Sequence, residues 1–444
     1  MILPAEARPL LDALAPVFTQ PTFHRFVTLF GSAILTTGRR TVANILRTAA
    51  PPAQGHLTTY QRVLPSAEWS ALHLACQLCR LVLALIPADQ AVILVGDDTV
   101  DGHPGRKVYG KARHRDPVRS GHGCTAWRYD HKWVVLAVLI RFPWANRPWA
   151  LPPLVDLHRG KEEDQKRRRP HRTPAQIMTT LLRVMLRWFP ERRFVFVGDS
   201  GFGSHEMARF VHRHRVRLSL VSKLHPEANL FELPPPYGGK GRPPVEGPRR
   251  PKPKEAVAAA TLTPETIAWD GGGRREVGVT TGTGHRYKSG AGLVPLVWVF
   301  VQDRTGTHRD EYFFSTDVSM TATAMIAASC GRWNLEATFQ EMRCLLGLET
   351  TRGWCRRTVL RAAPCLFGLY SVVALLRQGL PESKRTGRVE WPGKQGVTFS
   401  DAITSARRWL SQEWVFPQAG GGTAIEQLPE PLHKILFYAL APAA

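Results

Sequence analysis

Three acidic segments carry side chains that could do chemistry. "AVILVGDDT" ends an apolar run on Asp97 and Asp98, "RFVFVGDS" ends another on Asp199, and "CGRWNLEATFQEMRCLLGLE" contains Glu336. Short apolar runs of this kind read as strands, and reacting groups gather at the carboxyl ends of strands in open sheets. An aspartate that closes a strand is also an ordinary turn or helix-cap residue. Either aspartate site alone is therefore weak, and the matching context of the two is what strengthens them. Carboxylate oxygens suit hard divalent cations. Two such ions, about 3.5 to 4 Å apart, activate an attacking oxygen and stabilise a leaving one during in-line displacement at a phosphodiester.

The third acid must arrive from a helix. At 100° per residue, Leu335, Phe339, Met342 and Leu346 form an apolar stripe that faces a core, and Gly347 is a natural stop. Arg332, Glu336 and Arg343 fall on a second stripe beside the first. Glu336 is thus expected at the edge of the core rather than on the far, solvated face. A simple Arg332–Glu336 surface pair would be worth only a few tenths of a kcal/mol.

The chain has 444 residues, 43% of them hydrophobic, enough for two or three domains with a substantial core. Its 59 Lys and Arg against 36 Asp and Glu leave a formal charge of +23, which points to a polyanionic partner, nucleic acid first. No run of about 18 apolar residues stands out as a membrane span, so no membrane role is expected. The start, "MILPAEARPLLDALAP", lacks the basic and apolar regions of a signal peptide. Seven thinly spread cysteines fit a reducing compartment, and a cytoplasmic, nucleoid-associated protein is the expectation. Cys76 and Cys79 form a CxxC within an apolar helical stretch and are read as core, because a structural zinc site needs four ligands.

Residues 1–88 show helical periodicity and read as a helical DNA-binding unit, with Arg39, Arg40 and Arg47 either against DNA or on a solvated face. From residue 89 short strands alternate with helices through 224 and again over 291–380, which predicts an α/β core with a mixed sheet covered by helices. Between them, residues 225–290 are rich in Pro, Gly and basic residues and read as an insertion; residues 381–444 read as a C-terminal helical region.

The ordered set "VGDDT", "VGDSGFGS" and "RWNLEATFQEMRCLLGLE" resembles the DDE transposases of bacterial insertion sequences, in the branch with an Arg-x-x-x-Glu helix. The resemblance spans roughly residues 90–375. It implies a ribonuclease-H-like fold and two Mg²⁺ ions, for which Mn²⁺ can substitute. It further implies cleavage of double-stranded DNA at transposon inverted repeats, joining to target DNA, and a dimer on the DNA. In the family the first aspartate precedes Thr or Ser, which selects Asp98 over Asp97; Asp199 and Glu336 complete the catalytic, metal-holding set. The family insertion is β-rich and positions the transposon end, which makes Lys240 and Arg242 candidate DNA contacts, with Trp269 a possible stacking residue and Trp298 a core one. Arg332 and Arg343 are the expected phosphate contacts on the helix. Arg343 stands where the family has lysine, and Ser329 where it has tyrosine. Arg106, Lys107 and Lys111, and "KRRRPHR" at 166–172, are further basic candidates, with solvated loops as the alternative. A haloacid-dehalogenase-like phosphohydrolase would need D-x-D-x-[TV] where this chain reads D-D-T-V-D. A non-catalytic DNA-binding derivative is the remaining alternative, and retention of all three acids argues against it.

Overall fold

The computed structural model describes residues 4–48, 53–103, 105, 107–116, 119–121, 123–239, 243–268 and 273–441. Five helices come first: α1 (Arg8–Leu14), α2 (Gln20–Leu35), α3 (Val42–Thr48), α4 (Leu57–Gln61) and α5 (Ala71–Leu83). Ser70 caps α5 by accepting from the His73 amide at 3.2 Å, satisfying one of the free N–H groups at the helix start. Cys79 is fully buried with its thiol against Met185, so the CxxC packs the core as expected. Leu14, Phe26 and Ile34 join the same apolar core as Val95 and Phe367, so the N-terminal helices are built onto the rest of the chain rather than cored separately.

The sheet begins with β1 (Val92–Asp101), β2 (Ala112–Arg115), β3 (Trp127–Ile140), β4 (Trp149–His158), β5 (Phe194–Gly198) and β6 (Leu218–Lys223). Side by side the central strands run β4-β3-β1-β5-β6, with β3 antiparallel to both neighbours and β1, β5 and β6 parallel. This is the mixed sheet expected from the alternation of strands and helices. Val92, Leu94 and Val95 are buried because both faces of the sheet are covered. Helix α6 (Lys161–Lys166) leads into α7 (Pro174–Trp188), which packs on one face; α8 (His205–Arg213) follows β5. A Cβ on Gly96 of β1 would lie 2.7 Å from Met178 of α7.

The strands that follow are β7 (Leu230–Phe231), β8 (Thr263–Ala268), β9 (Arg274–Lys288), β10 (Gly292–Asp303) and β11 (Glu311–Ser315), with the short helix α9 (Pro253–Ala258) between β7 and β8. They continue the same sheet through β6-β11-β10-β9. The expected boundary between 290 and 291 falls in the β9–β10 turn, where Gly290 takes a φ of +72°. The β-rich insertion is therefore an extension of the sheet. Trp298 on β10 is buried as expected, and glycine at 282 lets β9 pass it, since a Cβ there would lie 2.4 Å from the indole. Trp269 lies outside the described residues.

The other face is covered by α10 (Ala322–Leu345) and α11 (Arg356–Gly379), with α12 (Phe399–Leu410) packed behind them. Helix α11 corrects one expectation: by length and composition it is apolar enough to cross a bilayer. Most of it is buried instead, Phe367, Tyr370 and Val373 completely, and it is a core helix laid on β4.

Candidate active site

The apolar stripe of α10 lies where its periodicity predicts. Leu335, Met342 and Leu346 are fully buried and Phe339 nearly so, which fixes the rotation of the helix about its axis. Gly347 follows in the left-handed conformation at φ +61°, ending the helix. At that end Arg40 donates to the Leu345 carbonyl at 2.5 Å and Arg407 reaches the same oxygen at 3.4 Å. Cations suit a helix C-terminus. Burial and the nearby Arg407 lower the Arg40 pKa to about 10. Arg40 is thus a buried capping residue, not a DNA contact, while Arg39 and Arg47 are exposed.

With the core stripe seated, Arg332 projects onto β1. Its Nη1 lies 2.7 Å from Asp97 Oδ2 and 3.2 Å from Glu336 Oε1, with the arginine side chain only 8% exposed. Arg343, further along the stripe, donates to Thr99 Oγ1 of β1 and lies 3.5 Å from Glu349. Arg332 and Arg343 therefore face β1, while Glu336 between them has its side chain 44% exposed and is drawn toward the strand by Arg332.

Asp97 and Asp98 part company because successive side chains of a strand point to opposite faces. Asp97 turns to the α10 face, toward Arg332 and Glu336. Asp98 shares the α7 face with Gly96 and is held by Lys132 of β3 at 2.8 Å. The residue preceding Thr99, chosen on the motif, is thus not the one the fold brings to Glu336. β1 and β5 run parallel with Gly96 opposite Gly198, and that register carried one residue further sets Asp199 beside Asp97. Asp199 is oriented by the turn after β5, its Oδ1 accepting from the amides of Gly201 at 3.0 Å and Phe202 at 3.3 Å. That turn is tight: a Cβ on Gly203 would lie 2.5 Å from Ser222 Oγ. Arg286 of β9 braces it from outside by donating to the Gly203 carbonyl at 2.6 Å.

Burial pushes the Asp97 carboxyl up to about 7, against the opposing charge of Arg332, and Asp199 and Asp98 raise it further. Burial also raises Asp98, against Lys132, with Asp199 adding to the rise. Four residues along β1 from Asp97, Asp101 is raised to about 8 by burial and by Glu349. β1 thus gathers buried carboxylates, as functional sites often do, with desolvation the chief cause of each shift and Arg332 and Lys132 opposing it at Asp97 and Asp98. Among the described residues, however, no three His, Cys, Asp or Glu side chains stand close enough together to hold a metal ion. The guanidinium of Arg332 sits between Asp97 and Glu336 and supplies positive charge there. In donor type and in charge, Asp97, Asp199 and Glu336 fit a hard divalent cation, and Asp98 borders them.

The remaining basic candidates divide. Lys111 is committed inside the protein, its side chain 7% exposed and its ammonium donating to the carbonyls of His103 at 2.5 Å and Gly105 at 3.2 Å. Lys107 is exposed, as are Lys166, Arg167, Arg168 and Arg169. Arg172 pairs with Asp156 at 3.0 Å. Arg106, Lys240 and Arg242 lie outside the described residues. Ser329 is buried, and its hydroxyl has no hydrogen-bond partner among the described residues. It lines a small pocket with Val197, Lys223, Arg332 and Trp333, beside the acids. No motif singles out Lys132, and the alternation of β1 distinguishes Asp97 from Asp98 only with α10 placed over one face of the strand.

Residues 13–276 match the family described as DDE superfamily endonuclease, well over half of the chain, and the protein belongs to that family. The match includes Asp97, Asp98 and Asp199 and ends before Glu336. Among solved structures, the chain is similar to piggyBac transposase in a cryo-EM synaptic complex with hairpin DNA, at a TM-score of 0.40 and 10% identity, covering 97% of this chain and 81% of that one. No curated protein matches the sequence.

Proposed function

We propose that this endonuclease-family protein is a DNA transposase of a bacterial insertion sequence, cutting double-stranded DNA at the element's inverted repeats and joining the ends to target DNA as a dimer. The observation that carries this reading is Arg332 holding Asp97 and Glu336 together on the face where the strand register sets Asp199. Asp97, Asp199 and Glu336 would hold two Mg²⁺ ions, or Mn²⁺ in their place, which supply activation of the attacking oxygen and stabilisation of the leaving one. Arg332 keeps the two acids positioned and balances their charge before the cations bind. Its planar fork can then turn to a phosphate, with Arg343 further along the same stripe. Lys132 holds Asp98 on the opposite face, as a neighbour of the set. The +23 charge supports polyanion binding with strong salt dependence.

The test is incubation of the protein with DNA carrying the inverted repeats that flank its gene, with Mg²⁺ or with EDTA, and resolution of cut and joined strands on denaturing gels. Asp97→Asn, Asp199→Ala and Glu336→Gln are expected to lose cleavage by on the order of a hundredfold or more, as removal of an electrostatic stabiliser does, with Asp98→Asn less affected. Cutting by Asp199→Ala or Glu336→Gln at the parental rate would show that the site is elsewhere.

A further inference from the structure

Beyond the carboxylates, β2 and the start of β3 form a ribbon whose outer face alternates aromatic and cationic side chains. Arg113 stands opposite Tyr129 and Arg115 opposite Trp127 in the antiparallel register. All four are exposed, Trp127 by 51% and Tyr129 by 53%, while Ala112 and His114 between them are buried on the reverse face. The Arg113 guanidinium lies 4.4 Å from the centre of the Trp127 ring, and Lys111 Nζ lies 5.1 Å from that of Tyr129. Large aromatic rings left in water are unfavourable unless something covers them. The ribbon is also anchored. The Asp116 amide donates to the Ala126 carbonyl at 2.9 Å, the Ala126 amide donates to Ser120 Oγ at 3.0 Å, and Lys111 ties the base of β2 to the His103 and Gly105 carbonyls.

The ribbon lies on the same side of the sheet as Asp97, with the buried His131 and Trp133 between them. Asp97 pairs with Val135, and Trp127 and Tyr129 have the same parity along β3. Val135 lies six steps along the strand from Tyr129, about 20 Å at the usual rise. The acids nearby are already matched, Asp130 by Arg128 at 3.1 Å and by Lys111 at 3.8 Å, and Asp116 by Arg119 at 3.9 Å. What remains outward is two rings and two arginines. A protein partner docking by apolar burial would meet an apolar neighbourhood; here each ring is flanked by cations, which suits a chain alternating flat bases with phosphates.

We infer that the Trp127–Tyr129 ribbon is a stacking platform for unpaired bases of a DNA strand, with Arg113 and Arg115 on its phosphates. Bases inside a duplex have both faces covered by their neighbours and a terminal pair has one face open, so the platform favours nucleotides that have left the helix, such as a frayed end or an opened strand. This rests on the proposal that the protein acts on DNA, and adds to it a site separate from the carboxylates.

The experiment compares a blunt fluorescent duplex with the same duplex bearing a short unpaired tail, by anisotropy at fixed salt. The proteins are the full-length parent, the double variant Trp127→Ala/Tyr129→Ala and the double variant Trp127→Phe/Tyr129→Phe. The parent should bind the tailed probe at least about fivefold more tightly than the blunt one, the lower end of what a stacked base contributes. The alanine variant should lose that preference while its affinity for the blunt duplex stays within roughly twofold, and the phenylalanine variant, which keeps flat rings, should retain it. An alanine variant that keeps the tail preference, or that loses both probes equally, overturns the platform. A tail of RNA bound more tightly than the same tail of DNA overturns the DNA assignment. A parent that binds neither probe overturns the transposase reading as well.

Discussion

Asp97→Asn should make the protein more stable at high pH while abolishing its chemistry, and the size of the effect follows from the burial of the carboxylate. Asp97 has 17% of its side chain exposed, and its pKa is raised on folding from 3.8 to about 7. The folded state therefore binds this proton more tightly than the unfolded chain. The stability it contributes is complete below about pH 3.8 and is lost as the pH rises through about 7. Each pH unit is worth about 1.4 kcal/mol. Between pH 5.5 and pH 8.5 the parent should lose about 2 kcal/mol through this group. Asparagine has no charge to bury, and its amide oxygen can still accept from Arg332. The variant's stability relative to the parent should thus rise by about 2 kcal/mol from pH 5.5 to pH 8.5. Other raised acids, Asp101 among them, titrate in the same window, so the difference between the two proteins is the informative quantity. Urea unfolding of both proteins in EDTA at the two pH values measures it. Adding Mg²⁺ at about 100 times its dissociation constant should stabilise the parent by about 2.7 kcal/mol at pH 8.5, and the variant far less. A parent–variant difference that is the same at both pH values would refute the claim that burial strains the ionised Asp97.

Two further substitutions separate packing from chemistry. Leu335→Ala removes a fully buried side chain from the stripe that sets the rotation of α10, and should cost about 2 to 5 kcal/mol in urea unfolding. Arg40→Met deletes a buried donor at the C-terminus of α10 and should destabilise by about 1 to 3 kcal/mol; DNA affinity measured at a pH where the variant is folded should be unchanged, because the guanidinium does not reach the surface.

Periodicity in the sequence determined a good deal by itself. Leu335, Phe339, Met342 and Leu346 recur at helical spacing, so the facing of α10 and the nearness of Glu336 to the core were legible before any tertiary contact was known. The end of β5 before Asp199 was legible for the same reason, but β1 does not stop on its acids: it runs through Asp97 and Asp98 to Asp101, because pairing with β3 carries the strand past the apolar run. The fate of individual cations was not. Arg40 and Arg39 are adjacent in sequence, yet one caps a buried helix end and the other is exposed, and Lys111 is turned inward by carbonyls eight and six residues before it. Nor could the motif show that the basic insertion would continue the central sheet, since strand pairing joins residues far apart in the chain. The choice between Asp97 and Asp98 belongs to the tertiary structure. Both precede Thr99 on one strand, but only the placement of α10 over one face of β1 gives their opposite orientations different neighbours, Arg332 and Glu336 for Asp97 and Lys132 for Asp98.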